Sequence, residues 1–256
     1  KGGLPTKPLT ADQVQTMAYI GLESEGLRQQ VADYYNCMAR LDALVGELLA
    51  KLKASGKYDD TLIVYMGDHG ADLVRGKRTC YEGGIRVPLI IRLPKGKAGQ
   101  ERRELVSSLD LFPTFLEMSG AELVPDLPGS SLLPLLRGEK PKWRQYMPTE
   151  YHLHSAHNYY PQRAIRNDRY KLIENLQPGE VDPGYEFTVN RFFGQQVLAA
   201  LPKAPKKVQV AYALMKRPPK YQLYDLQMDP YEFVNLAKDP AHRSALDELS
   251  TELTRW

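Results

Sequence analysis

Asp68 and His69 stand side by side where an apolar run of the sequence ends. The run Thr61–Met66 stops at Gly67, and Gly70 follows the acid and the imidazole. A carboxylate oxygen and a neutral imidazole nitrogen are both common ligands of divalent cations. In open α/β sheets, ligands bind beyond the carboxyl ends of the strands, and flanking glycines let the backbone bend there. The pair is therefore a candidate metal site.

Two basic residues, Lys77 and Arg78, follow this pair and give the segment a second chemical capability. Each could approach an anion held by the metal. At about 4 Å and an effective dielectric constant of about 20, one unit charge contributes on the order of 4 kcal/mol to the binding of a unit anion. The alternative is an Asp-His pair in a solvated turn, with His69 bonded to a backbone carbonyl and Lys77 an ordinary surface lysine.

The elements that must position these residues follow from the spacing of the apolar side chains. Intervals of three and four predict a helix over Arg28–Ser55, which Gly56 ends. Thr61–Met66 does not alternate, which predicts a strand buried on both faces. Val87–Leu93 is a second strand and Ser107–Met118 a second helix. This order of elements predicts an α/β layer with a largely parallel sheet.

A second unit follows a proline-rich connection over residues 121–148. Its three segments QRAIR, YKLIEN and YQLYDL are rich in aromatic and β-branched residues, which predicts short strands. Helical patches at Phe187–Leu201 and Val208–Met215 lie between the second and third of them. Ala245–Trp256 reads as a final amphipathic helix.

Composition excludes several classes of protein. The 256 residues are 43% hydrophobic and 25% charged, as in ordinary globular proteins. No apolar run reaches the roughly 18 residues that a membrane span requires. A net charge of +3 with scattered basic residues does not indicate nucleic-acid binding, although it suits an anionic substrate. The two cysteines, Cys37 and Cys80, form neither a metal-type spacing nor a disulfide framework.

The stretch TLIVYMGDHG…GKRTCYEGGIRVPLIIR resembles the second signature region of the sulfatase family, within the alkaline-phosphatase superfamily. The resemblance continues in LVSSLDLFPTFLEMSG, LPGSSLLPLL and YQLYDLQMDPYEFVNLAKDP. It implies that residues 1–140 are the C-terminal part of the catalytic α/β sandwich domain. Residues 141–256 would then form a smaller α+β domain with a short antiparallel sheet. YYPQRAIRNDRYKLIENL and the ending LDELSTELTRW resemble the heparan N-sulfatases (sulfamidases) in particular.

Carried over residue by residue, the resemblance implies that Asp68 and His69 bind a divalent cation, which in the family is calcium. Many members have asparagine where His69 stands, and histidine occurs there in other sulfatases and in phosphonate monoester hydrolases. Lys77 matches the basic residue that contacts the sulfate group, which implies a catalytic and substrate-binding role. His154 falls in the region that lines the family's substrate pocket, and the alternative is that it lies in a solvated loop.

The family's nucleophile is a formylglycine made within the motif C/S-x-P-S-R, and this motif does not occur in the sequence. The paired aspartates that complete the metal site in the family have no match either. We therefore expect the C-terminal portion of a sulfatase, whose formylglycine lies on an upstream segment. Such a chain should be inactive alone.

The resemblance implies an enzyme that hydrolyses sulfate esters or sulfamates, N-sulfoglucosamine-type substrates included. The alternatives are a phosphonate or phosphodiester hydrolase of the same superfamily and a non-catalytic relative that binds sulfated glycans. The expected partner is a sulfated small molecule or glycan rather than a nucleic acid or a membrane. The family likeness also favours a periplasmic or extracellular bacterial location and permits a homodimer.

Overall fold

The computed structural model describes residues 7–96, 98–155, 158–189 and 194–256. In chain order their helices and strands are α1 (Glu25–Ala54), β1 (Ile63–Met66), α2 (Glu82–Ile85), β2 (Leu89–Arg92), α3 (Leu111–Ser119), α4 (Leu133–Leu136), β3 (Met147–Tyr151), β4 (Gln162–Arg166), β5 (Tyr170–Asn175), α5 (Pro183–Phe187), α6 (Gly194–Ala200), α7 (Lys206–Lys216), β6 (Tyr221–Asp225) and α8 (Arg243–Arg255). Within these ranges no helix is both long enough and apolar enough to cross a lipid bilayer.

The long first helix is confirmed and begins three residues earlier than its apolar stripe predicts. Ser24 caps it, because the Ser24 side chain accepts a hydrogen bond from the backbone of Leu27 at 3.2 Å. Gly56 adopts a left-handed φ of 71° just past its end, a conformation that costs glycine nothing. Only its first turns are buried, through Leu27 and Val31.

Strands β1 and β2 pair antiparallel, so the expectation of a largely parallel sheet is wrong for these two strands. The chain between them does not cross the sheet. It folds into a compact loop at one end, so that Met66, the last residue of β1, lies opposite Leu89, the first of β2. The expectation that β1 is buried on both faces is also wrong. Tyr65 and its cross-strand partner Ile90 are exposed, the latter by 64%.

The second sheet has the antiparallel order β3-β4-β5-β6. The three strands expected in this part of the chain are confirmed as β4, β5 and β6. The sequence reading missed β3, which contains Pro148. Proline is tolerated there because β3 is an edge strand and needs hydrogen bonds on one side only.

Alternate residues of this sheet pack into two separate cores, as the period of two of a strand requires. Ile165, Leu172 and Leu223 pack under α8 against Leu246, Leu249 and Leu253. The opposite face forms a larger core with α7, the start of α1 and the segment after β1, with members that include Val31, Val74, Tyr81, Ala164, Ile173, Tyr212 and Tyr224. The segment that follows β1 is therefore packed directly on the second sheet.

The two helical patches expected between β5 and β6 agree with the structure to different extents. Val208–Met215 is confirmed as part of α7. The Phe187–Leu201 patch contains the end of α5 and all of α6, and its residues 190–193 lie outside the part of the chain that the structure describes. The final helix is confirmed as α8, which begins at Arg243 and ends at Arg255.

Candidate active site

Residues 67–86, here called the site loop, leave and re-enter the sheet at the same end. Gly67 donates a backbone hydrogen bond to Pro88 at 3.1 Å, and Gly70 donates one to Gly84 at 2.8 Å. The backbones approach so closely that a Cβ on Gly70 would lie 1.8 Å from the carbonyl oxygen of Gly83. Any side chain at Gly70 would therefore force the loop apart.

Asp68 and His69 occupy the turn at the start of the site loop and are both exposed. His69 Nδ1 lies 2.8 Å from the carbonyl oxygen of Gly70, an acceptor, so Nδ1 carries a proton, and in the neutral imidazole Nε2 keeps its lone pair. Nε2 lies 3.4 Å from Asp68 Oδ2. A contact between His69 and a backbone carbonyl is what the solvated-turn alternative predicts. This contact nevertheless leaves Nε2 of His69 beside the carboxylate of Asp68.

This geometry fits a shared cation in part. One lone-pair nitrogen and one carboxylate oxygen sit close enough to bind one ion, and the Nδ1 bond to a carbonyl is the outer contact that orients metal-binding histidines. Within the described ranges, no three His, Cys, Asp or Glu side chains converge on one point. Calcium takes roughly six to eight oxygen ligands, so Asp68 and His69 supply only part of a binding site.

Lys77 and Arg78 are neighbours with opposite environments. Arg78 is buried, and its guanidinium donates two hydrogen bonds to Asp72, at 2.5 and 3.2 Å. Lys77 is partly exposed, and among the described residues no carboxylate pairs with its ammonium group. Arg78 also has a left-handed φ of 73°, which costs a non-glycine residue about 1–3 kcal/mol. The free cation of the pair is therefore Lys77.

His154 lies after β3 and is exposed. Asn158, which is buried, fixes this stretch by accepting hydrogen bonds from the backbones of His154 and Ser155, at 3.0 and 2.7 Å. Partial desolvation of the ring is the first cause that lowers the pKa of His154, and the positive charges of Lys77 and Arg78 are the next. The positive charges of Lys77 and Arg78 thus disfavour protonation of this imidazole.

One broad cleft of about 1740 Å³ collects the residues that the sequence singled out. Asp68, His69, Lys77 and His154 all line it. The structure thus brings the four candidate residues of the sequence analysis to one surface, from both the first and the second sheet.

Sequence reasoning missed Tyr151, which also lines this cleft, because it lies at the end of the unexpected strand β3. Burial is the main cause that raises the pKa of Tyr151 to about 12, and the negative charge of the nearby Asp182 carboxylate is the second cause. Its hydroxyl is buried and has no hydrogen-bond partner among the described residues.

Sequence reasoning also missed Arg75, which holds the site loop in place. Its side chain is 1% exposed and donates to the backbone carbonyls of Tyr19, Tyr231 and Glu232 at 2.9–3.0 Å. The ring of Tyr81 lies 4.3 Å from the guanidinium, a favourable cation–π distance. The only signal in the sequence is a third basic residue near Lys77, which does not reveal that it points inward.

Two family sequence models match this chain. The sulfatase model covers residues 6–121, and the model of the N-sulphoglucosamine sulphohydrolase C-terminal region covers residues 67–186. Both include the site loop. The first also includes α1 and both strands of the first sheet, and the second extends through strands β3, β4 and β5 into α5.

Characterised relatives agree with these models. An ulvan-active sulfatase of Formosa agariphila is 32% identical over 231 residues, which are 88% of this chain and 43% of that protein. Human N-sulphoglucosamine sulphohydrolase is 30% identical over 250 residues, which are 90% of this chain and 48% of that protein. The chain therefore spans less than half the length of these relatives.

Solved structures share the fold. A 2-O GAG sulfatase superposes with a TM-score of 0.68 at 24% identity, over 96% of this chain and 45% of that one. A phosphonate monoester hydrolase from Silicibacter pomeroyi gives 0.64 at 28% identity, over 90% of this chain and 41% of that one. The chain thus has an α/β fold of the alkaline-phosphatase type.

The family within that type follows from the sequence models and the relatives together. The chain belongs to the sulfatase family, and it carries the C-terminal region found in N-sulphoglucosamine sulphohydrolase.

Proposed function

We propose that this chain is the C-terminal portion of a metal-dependent sulfatase that hydrolyses sulfate esters or sulfamates. The observation that carries the proposal is that one cleft is lined both by a candidate ligand pair, Asp68 and His69, and by Lys77, a cation without a carboxylate partner among the described residues. A sulfate group carries negative charge that both a divalent cation and an ammonium group can bind. The sulfatase relatives support the reaction class.

The proposed roles of these residues follow from their contacts. A bound divalent cation, which we propose to be calcium, would polarise the sulfate oxygens. Asp68 would contribute an oxygen ligand, and His69 would contribute Nε2 while Gly70 holds its ring orientation. Lys77 would bind the sulfate oxygens directly and stabilise the charge that builds up on the departing group. Arg78 would not bind the sulfate, because its guanidinium already donates two hydrogen bonds to Asp72.

We propose that the rest of the metal shell and a formylglycine nucleophile lie on a polypeptide segment outside residues 1–256. Three observations support this. The relatives are more than twice as long as the matched region. Among the described residues, no three His, Cys, Asp or Glu side chains are grouped so that they could hold a metal ion. Leu41, Leu44 and Leu48 of α1, together with Tyr65 and Ile90, form apolar surface that the described residues leave exposed. The 256-residue chain alone is accordingly expected to be inactive.

The proposed substrate is a sulfated sugar or glycan. N-sulfoglucosamine-type sulfamates are the first choice, because residues 67–186 match the C-terminal model of N-sulphoglucosamine sulphohydrolase. A sulfate ester of a polysaccharide is the next choice, because the relative at 32% identity is named an ulvan-active sulfatase.

A phosphonate or phosphodiester hydrolase is the second candidate. The structural likeness to a phosphonate monoester hydrolase favours it. A phosphate dianion would favour more cationic groups than a sulfate monoanion. In the site loop, Lys77 and Arg86 both line the cleft without an ion pair among the described residues, so charge alone does not separate the candidates, and the sulfatase relatives favour the first.

The test uses the intact gene product that contains this chain. Turnover is measured on N-sulfoglucosamine, an aryl sulfate and an aryl phosphonate monoester, with calcium and with a chelator. We expect sulfamate or sulfate turnover that the chelator abolishes and calcium restores. Preferred turnover of the phosphonate would favour the second candidate. Binding of sulfated glycan without any turnover would indicate the non-catalytic relative.

A further inference from the structure

Four charged side chains, Glu82, Arg166, Lys171 and Glu232, form a cluster between the site loop and the second sheet, and Glu82 and Arg166 also reach the wall of the cleft. Lys171 of β5 is wholly buried, and its Nζ lies 2.8 Å from Glu232 Oε1 and 3.2 Å from Glu82 Oε1. Arg166 of β4 donates to the other oxygen of Glu82 at 2.6 Å. The cluster thus joins the start of α2 to two strands and to the turn after β6.

The charges of this cluster balance, two positive against two negative. Burial alone would raise the pKa of Glu82, but Lys171 and then Arg166 outweigh it and lower that pKa. Burial raises the pKa of Glu232, which Lys171 partly opposes. Burying ions costs several kcal/mol per ion before pairing, and apolar packing often stabilises a fold equally well. Stability alone therefore does not account for the cluster.

The cluster is linked to the metal-ligand turn by consecutive hydrogen bonds. Glu232 Oε2 accepts a hydrogen bond from the backbone of Glu82 at 2.6 Å, which fixes the first residue of α2. Two residues on, the carbonyl of Gly84 accepts the bond from Gly70 at 2.8 Å. The carbonyl oxygen of Gly70 in turn accepts a hydrogen bond from Nδ1 of His69. Glu232 is therefore connected to the candidate ligand through one short helix.

The backbone at Glu232 supports the same loop a second time. Its carbonyl oxygen accepts a hydrogen bond from Arg75, which is itself part of the site loop. Glu232 holds a left-handed φ of 61°, a conformation rare in non-glycine residues. Both the carbonyl and the carboxylate of one residue in the second unit thus anchor the loop that carries the chemistry.

We propose that Glu232 and Lys171 are positioning residues, which hold α2 and, through Gly84 and Gly70, the Asp68–His69 turn in its binding geometry. The effect on catalysis rests on the proposed function, whereas the effect on loop geometry does not. The two residues touch neither substrate nor metal. They make the second unit part of the machinery that shapes the cleft.

The first experiment measures loop geometry without any activity. Glu232→Gln keeps the size and an acceptor for Glu82 but removes the charge that pairs with Lys171. The matched control is Asp225→Asn, a buried carboxylate at the end of β6 whose partner is Arg169. We expect amide exchange at Gly70 in the intact gene product to accelerate about tenfold in the first variant and to stay unchanged in the control. Unchanged or equal exchange in both variants overturns the proposal.

The second experiment measures kinetics in the intact gene product. Glu232→Gln should lower kcat/KM by about 10- to 100-fold, mainly through kcat, while Asp225→Asn stays within about twofold. Calcium affinity should weaken in the first variant only. Normal kcat/KM in Glu232→Gln overturns the proposal even if Gly70 exchanges faster. An inactive wild-type protein would instead reject the proposed function and leave the exchange result to decide positioning.

A second variant covers the case in which Glu232→Gln does not fold. Arg166→Gln removes one partner of Glu82 at a position that is 20% exposed, which the fold should tolerate. It should shift Gly70 exchange and kcat/KM in the same direction by a smaller factor. A folded Arg166→Gln protein with wild-type exchange at Gly70 overturns the proposal.

Discussion

The two sheets of this chain differ in what covers them. The four-stranded sheet β3–β6 has packed cores on both faces, and Leu172, Leu223 and Leu249 are completely buried there. The two-stranded sheet β1–β2 presents Tyr65 and Ile90 to solvent. A two-stranded sheet is marginally stable in water at best. The covered region therefore stabilises the chain, whereas the open region carries the candidate ligands. Substitutions in the two regions should act on different properties.

The largest expected effect is that of Asp68→Ala on activity in the intact gene product. Loss of a metal ligand should lower kcat/KM at least about 10³-fold, or ~4 kcal/mol in transition-state stabilisation. Because Asp68 is exposed, the melting temperature measured without metal should not change. The control is Asp247→Ala, an exposed carboxylate on α8. Wild-type turnover in the Asp68 variant would refute the ligand assignment.

The covered region should respond in the opposite way. Leu249→Ala creates a cavity under α8 and should cost about 2–5 kcal/mol of unfolding free energy, measured by urea denaturation of this chain. Leu48→Ala, on the open face of α1, should change it by no more than about 0.5 kcal/mol. In the intact gene product Leu48→Ala should become costly, because we propose that a further segment covers it. Equal costs of the two substitutions in this chain would break the comparison.

A third expectation concerns the charge at the open end of the cleft. Lys77→Ala should raise KM and lower kcat together, with kcat/KM reduced about 10- to 100-fold, since the ammonium would contact the anion before and during reaction. Lys57→Ala, an exposed lysine outside the cleft, serves as the control. If kcat/KM of the Lys77 variant equals that of the control, Lys77 does not contact the substrate.

The smallest expected effect concerns how the free energy of unfolding depends on pH. Burial raises the pKa of Asp182 to about 6, although its carboxylate accepts a bond from Gly184. The folded chain then holds the proton more tightly than the unfolded chain does, so stability falls as pH rises from about 4 to about 6 and is level above that range. Asp182→Asn keeps the acceptor. It should remove this slope and stabilise the chain at pH 7 by about 1–3 kcal/mol in urea titrations. An unaltered slope would show that other groups cause it.

Much of the covered region could be predicted because its signals are local. Strands β4, β5 and β6 follow from runs of aromatic and β-branched residues, and α1 and α8 follow from apolar spacing. Strand β3 was missed because Pro148 and the prolines before it resemble a linker. Only the pairing partner shows that Pro148 lies on an edge.

The open region was harder, because its structure depends on contacts between distant residues. The direction of β2 relative to β1 is set by how the site loop folds back, which no periodicity encodes. The types of Asp68, His69 and Lys77 identified the candidate site. The anchoring by Arg75, Lys171 and Glu232 was invisible, because it joins residues up to 157 positions apart. Sequence reasoning therefore found the chemical groups and not the residues that hold them.

The close approach of Gly70 to Gly83 restricts how this site can evolve. A Cβ on Gly70 would meet the carbonyl of Gly83, and one on Gly84 would lie 2.4 Å from the carbonyl of Thr79, so neither position can change alone. New substrate preferences must therefore arise from replacing side chains around the cleft, while the path of the loop is inherited unaltered. Mutant libraries aimed at new specificity should leave these glycines fixed and diversify positions such as Tyr151 and His154.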